Sequence, residues 1–168
     1  SSTSPVACAQ EIAALKGSLV FEQESSRCSS PLLTIAADTI VVVDDQILGK
    51  PADRNEAVTM LKMLSGRQHQ VITAVDLRVT NMEKRGASFH YPFWVGTEVT
   101  FVSLDEEMLD HYLACEEWSD KAGAYGIQGA AAPFVSKIDG SYTNVVGLPL
   151  SELRYWVNQA LSTALAVK

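Results

Sequence analysis

An α/β fold, with a mixed twisted sheet flanked by helices, is predicted by three observations. Short β-branched runs read as strands, other segments repeat apolar residues at helical spacing, and the two kinds alternate irregularly along the 168 residues. With 47% apolar residues the chain can bury one sizeable core, and no low-complexity linker divides it. A single domain over residues 1–168 is therefore expected.

The segment Ser1 to Pro31 is rich in Ser and Ala, and its irregular apolar pattern supports only a short helix near Ala9 to Lys16. Leu32 to Ile35 and Ile40 to Val43 read as two strands interrupted by Ala36-Ala37-Asp38-Thr39. Asp44-Asp45 suggests a turn into a short strand at Gln46 to Leu48. Asp53 with Glu56 resembles a capping box ahead of the helical stripe Ala57, Val58, Leu61 and Leu64, which Gly66 can stop. Val71 to Val79 and Val95 to Phe101 alternate as two half-buried strands, and the polar stretch Asn81 to Gly86 favours an antiparallel pair joined by a long connection.

Ser103 and Glu106 make a second capping box before Met108, Leu109, Tyr112 and Leu113. The Gly-rich run Ala122 to Ala132 cannot be helical throughout. Pro133 to Ile138 and Tyr142 to Val146 read as strands around an Asp139-Gly140 turn, and Pro149 opens a final helix carrying Leu150, Leu153, Val157 and Leu161.

Charge excludes one class of partner. A net charge of -7 without Lys and Arg clusters does not suit a protein that wraps a nucleic-acid polymer by neutralising phosphates. A phosphorylated ligand must then be small, held by a few placed cations or a metal. Cys8, Cys28 and Cys115 are odd in number and far apart, which suggests neither a disulfide framework nor a paired zinc site and fits a reducing cytosol. The apolar runs are too short to cross a bilayer, so the reading is a soluble cytoplasmic protein with no membrane partner.

Asp38 is the first candidate for chemistry, because a carboxylate within Ile35-Ala36-Ala37-Asp38-Thr39-Ile40-Val41 is costly to bury without a partner. Two readings stand open: an Asp accepting backbone hydrogen bonds at a strand break, or a group that binds a divalent cation or takes a proton from water. Lys50, in Gly49-Lys50-Pro51, puts a cation just beyond the short strand, where phosphate or plain solvent would suit it. In Ser119 to Ala130, small residues permit close backbone approach, while Asp120, Lys121 and Gln128 supply a carboxylate, a cation and an amide. A compact loop with an ordinary ion pair remains open there. Glu98 faces either a cleft or solvent, and His69, His90 and His111 lack metal-ligand spacing.

Ala37-Asp38-Thr39, Gly49-Lys50-Pro51, Leu64-Ser65-Gly66-Arg67 with His69, and Thr97-Glu98-Val99 stand in an order that resembles the Maf-like nucleotide pyrophosphatases. Asp120 to Gly129 and Val145-Val146-Gly147-Leu148-Pro149-Leu150 continue the series. The resemblance implies a Maf/Ham1-like two-lobed fold with a cleft, often homodimeric, that uses Mg²⁺ or Mn²⁺ to cleave nucleoside triphosphates into monophosphate and pyrophosphate. It places the catalytic acid at Asp38; Asp38 and Glu98 are the expected metal ligands. Phosphate contacts fall on Lys50, Lys121 and Lys16, and Thr39 with Gln128 resembles the branch preferring dTTP and UTP. The chain departs from the family at residues 1–31, which read as atypical and short. Val6-Ala7 follows Ser2-Thr3-Ser4-Pro5 where the family carries paired arginines, or else Ile12 to Lys16 matches a later helix. That departure defines a second expectation, a weak or inactive nucleotide-binding or dimerising remnant.

Overall fold

The computed structural model describes residues 4–28, 30–80 and 88–166. Helix α1 (Pro5–Ser25) starts where the Ser4 hydroxyl accepts from the Ala7 amide at 3.2 Å with Pro5 in the first turn, a favourable helix entry. It is far longer than the short helix expected. Its buried stripe, Ala9, Ala13 and Gly17 at four-residue spacing, is made of small residues that carry almost no hydrophobic signal.

Five strands follow in the order β2-β1-β3-β4-β5: β1 (Leu33–Val43), β2 (Gln46–Leu48), β3 (Gln68–Thr80), β4 (Ser88–Phe101) and β5 (Val135–Asp139). All four described pairings are antiparallel, so the α/β architecture holds while the sheet is antiparallel rather than mixed. The expected break at Ala36 to Thr39 is absent, since β1 pairs with β3 without interruption from Leu33 opposite Val79 to Val42 opposite Gln70. β3 is buried on both faces, not half-buried as its alternation suggested, because helices cover it from either side. The connection Asn81 to Gly86 lies outside the described residues.

α1 packs Ala9 and Ala13 on Ile40, Val42, Ile72 and Ala74 of one sheet face. The opposite face carries the larger core. There Val41, Val71, Val99 and Phe101 meet α2 (Arg54–Leu64) and α3 (Glu106–Leu113), and Val75, Leu77 and Phe93 meet α5 (Leu150–Ala166). α2 begins as expected, with Asp53 accepting from the Glu56 amide at 2.9 Å, and Gly66 follows its end at φ +66°. α3 is capped by Asp105, which accepts from the Met108 amide at 2.8 Å, and not by Ser103. Tyr142–Val146 is a short helix, α4, rather than the expected strand. Ser141 caps it through the Asn144 amide and Gly147 ends it at φ +120°, so its two ends outweigh the β preference of Val145 and Val146.

Candidate active site

β2 pairs with β1 only over Val41 to Val43, so the edge of β1 below it is left without a strand partner. A cavity of about 910 Å³ opens along that edge, within the range of small-molecule sites. Three parts of the chain close it. Cys8, Ile12 and Lys16 come from one stripe of α1, Lys50 from the end of β2, and Glu117 to Gly129 with Val145 to Gly147 from the far wall. The Gly-rich run is held in place at Gly123, whose amide donates to the Gly49 carbonyl at 3.0 Å. At φ +67°, a Cβ there would press within 3.0 Å of Val41.

Strand parity turns Asp38 toward α1 and Thr39 toward α4. The Lys16 ammonium lies 2.6 Å from Asp38 Oδ1 and also donates to the Ala37 carbonyl at 3.4 Å. This pairing is what allows a carboxylate in an unbroken buried strand, its side chain only 16% exposed. Asp38 Oδ2 has no hydrogen-bond partner among the described residues. α1 is brought this close by a second contact one residue along. Gly17 lies against the buried Asp76 carboxylate, which is itself fixed by Arg78 Nε at 2.6 Å and His90 Nε2 at 2.5 Å. Arg78 also donates to the Ala14 carbonyl at 3.4 Å, joining the cluster to α1.

On the other wall, Lys121 bonds Asp120 at 2.5 Å, and that hydrogen bond holds the Asp120 carboxyl below its usual range. Glu117 accepts from the Ala130 amide at 2.8 Å, and Gly129 makes room for it. Lys50 forms no ion pair with a described residue. Three lysines thus line the cavity, two of them held by carboxylates that a polyanion would displace. Beneath the loop, His69 Nε2 and the Tyr125 hydroxyl are 2.8 Å apart, and burial depresses the His69 pKa to about 4 and raises that of Tyr125. His69 is therefore neutral, a core residue under the site.

Of the residues expected from sequence, Asp38, Thr39, Lys16, Lys50, Lys121 and Gln128 all line this one cavity. Glu98 does not. It lies on β4 opposite Gln70 and accepts from Gln68 at 3.2 Å and Gln70 at 3.0 Å, so the expected Asp38 and Glu98 metal pair is not assembled. No group of three His, Cys, Asp or Glu side chains among the described residues is placed to hold a metal. Asp38, with Oδ2 open, offers one hard oxygen ligand toward the cavity. Ser4 and Pro5 form the entry of α1, and Val6 and Ala7, which stand where the family carries paired arginines, lie inside that helix. Sequence reasoning missed Glu117, which no motif singled out, and Thr73 and Asn144, two buried polar residues that support Thr39 from below.

An antiparallel α/β protein with a lysine-lined cleft, and the Asp38 carboxylate set in its floor, is the class that fold and site define. Comparison with known proteins carries this further. A family described as Maf-like protein matches residues 1–160. Named relatives include a dTTP/UTP pyrophosphatase of Bacillus pumilus (strain SAFR-032), 46% identical over 126 residues, which are 75% of this chain and 63% of the relative. The dTTP/UTP pyrophosphatase of Carboxydothermus hydrogenoformans is 51% identical over 73% of this chain and 65% of its own length. That of Bacillus mycoides (strain KBAB4) is 43% identical over 90% of this chain and 73% of its own length. The chain belongs to the Maf-like family. It spans less than two thirds of the length of the first two of these relatives.

Proposed function

We propose that residues 1–168 act as one Maf-like domain that hydrolyses dTTP or UTP to the monophosphate and pyrophosphate. The observation that carries this reading is the Lys16–Asp38 pair, set at 2.6 Å in a cleft whose other cations are Lys50 and Lys121. A triphosphate satisfies all three lysines at once. Lys16 then turns from Asp38 toward phosphate, and Asp38 is freed to act on water. Asp38 takes the proton as the water oxygen bonds the α-phosphorus, and the bond from that phosphorus to the oxygen bridging the β-phosphate breaks. Lys50 and Lys121 hold the pyrophosphate as it gathers charge.

Asp38 is the residue that would hold Mg²⁺ or Mn²⁺ in this reading, and the ion would supply neutralising charge on the phosphates. Thr39 and Gln128 meet the nucleoside end. A homodimer in the cytoplasm with no membrane partner belongs to the same proposal, as does the absence of a nucleic-acid-polymer partner, which the charge of -7 supports. Among the described residues no helix is long and apolar enough to cross a membrane.

A second reading, nucleotide binding without turnover, is favoured by one observation: among the described residues the cavity lining includes three lysines and no arginine. Product analysis with dTTP, UTP, CTP and ITP separates the two. Monophosphate and pyrophosphate in equal amounts, fastest from dTTP or UTP, supports the enzyme. Saturable binding of the same nucleotides with no product supports the second reading instead.

A further inference from the structure

Gln128 sits at the centre of a four-residue turn, Gly126 to Gly129, closed where the Gly129 amide donates to the Gly126 carbonyl at 3.1 Å. The other central residue, Ile127, is buried in the large core. One side chain thus anchors the turn and the other is left to the cavity. Neither turn glycine has a positive φ, so it is space rather than backbone freedom that they supply. A Cβ on Gly126 would lie 3.3 Å from Lys121 Cε, and one on Gly129 would overlap the Glu117 carboxylate. Glu117 and Lys121, four residues apart in the preceding segment, lie over the two ends of the turn.

The backbone delivers Glu117 to that place. Glu116 takes φ +57°, a left-handed conformation uncommon outside glycine, and its carbonyl accepts from the Ser119 amide at 3.2 Å, which reverses the chain after α3. Trp118 Nε1 donates to the Leu113 carbonyl at 3.1 Å and ties the reversal to the helix end. Glu117 Oε2 then accepts from the Ala130 amide at 2.8 Å, one residue past the turn.

We propose that Glu117 is a positioning residue, whose carboxylate clamps the Gly126 to Gly129 turn and so holds Gln128 toward the nucleoside end of the ligand. This rests on the nucleotide reading above and deepens it. The Gly126 end is covered by a side chain that moves in that reading, since Lys121 leaves Asp120 for phosphate. Glu117 bonds main chain and stays in place while the ligand enters. It works as an oxygen acceptor, a part that the carbonyl oxygen of a glutamine can also play.

The test measures binding of the α,β-imido analogue of UTP to wild type, Glu117→Ala, Glu117→Gln, Gln128→Ala, Gly129→Ala and the two double variants that combine Glu117→Ala with each of the last two. Glu117→Ala and Gln128→Ala should each weaken binding about tenfold, the size of one hydrogen bond to the nucleoside. Glu117→Gln should stay within about threefold of wild type, because a neutral acceptor keeps much of the bond. Combining Glu117→Ala with Gln128→Ala should cost no more than Gln128→Ala alone, since one acts through the other. Gly129→Ala, which keeps every charge, should weaken binding in wild type by displacing the carboxylate and add nothing to Glu117→Ala. Melting temperatures confirm that each variant is folded.

Full affinity in Glu117→Ala, Gln128→Ala or Gly129→Ala overturns the proposal and leaves the nucleotide reading standing. A Glu117→Gln variant as weak as Glu117→Ala overturns it in favour of a carboxylate that meets the ligand or its cation by charge. Additive losses in either double variant overturn it as well. Failure of the analogue to bind wild-type protein overturns the nucleotide reading itself.

Discussion

Gly17 lies so close to Asp76 that a Cβ built on the glycine would come within 2.2 Å of the carboxylate oxygen Oδ1. Asp76 cannot easily yield, because Arg78 and His90 hold both of its oxygens in a buried setting. Gly17→Ala should therefore push α1 away from the sheet, at a cost of about 1–3 kcal/mol typical of overpacking. Lys16 is the next residue, so displacement also lengthens its contact with Asp38. Urea unfolding checks the first effect, and nucleotide affinity, expected to fall with it, checks the second. A variant as stable as wild type would show that the helix and carboxylate adjust freely.

His69 makes stability depend on pH. Burial lowers its pKa from an ordinary 6.5 to about 4, so between those values the unfolded chain binds a proton that the folded chain refuses. The contribution is complete above pH 6.5 and is lost as pH falls toward 4, reaching about 3 kcal/mol. Urea midpoints at pH 7 and pH 5 should differ more in wild type than in His69→Gln. Equal differences would remove His69 as the cause.

Lys50 and Lys121 both line the cavity at exposed positions, so their loss should weaken hold on the phosphates and leave the fold intact. Charge-assisted bonds of about 1.5–3 kcal/mol predict that Lys50→Gln and Lys121→Gln each raise KM on the order of 10- to 100-fold. Steady-state kinetics across salt concentrations checks this, since the wild-type KM should rise with salt more steeply than that of either variant. Thermal melts should be unchanged to within a degree or two, because both side chains are solvent-accessible at the rim.

Local signals were readable in the sequence where a segment's own chemistry decides its structure. Asp53 and Gly66 bound α2 as expected, and the alternation from Val95 to Phe101 belongs to one real strand, β4. Elements decided by distant partners were not. β1 runs through Asp38 because β3 pairs along its whole length and Lys16 answers the charge, neither of which is visible from neighbouring residues. The sequence shows only a fragment of α1 because its buried residues are Ala and Gly while Leu15 and Leu19, apolar residues, face outward. The valines of α4 suggest a strand, although a Ser at one end and a Gly at the other make it a helix.

The site divides in the same way. Asp38, Lys50, Lys121 and Gln128 stand out by residue chemistry, Thr39 and Lys16 by motif resemblance, and the fold brings all six around one cavity. Glu98 shows the limit of parity: it shares a sheet face with Asp38, yet it sits two strands away beside Gln68 and Gln70. Thr73 and Asn144 gave no signal, because a buried polar residue cannot be told from an exposed one without knowing what covers it.

Asp38 is the centre of the account, and its replacement by asparagine is the most direct measurement. Asn keeps the size and can still bond Lys16 but cannot take a proton from water. Pyrophosphate release from UTP should fall at least about 100-fold in Asp38→Asn, while melting temperature and binding of the α,β-imido UTP analogue persist. Release at the wild-type rate from folded Asp38→Asn would contradict the account and place the chemistry elsewhere in the cleft.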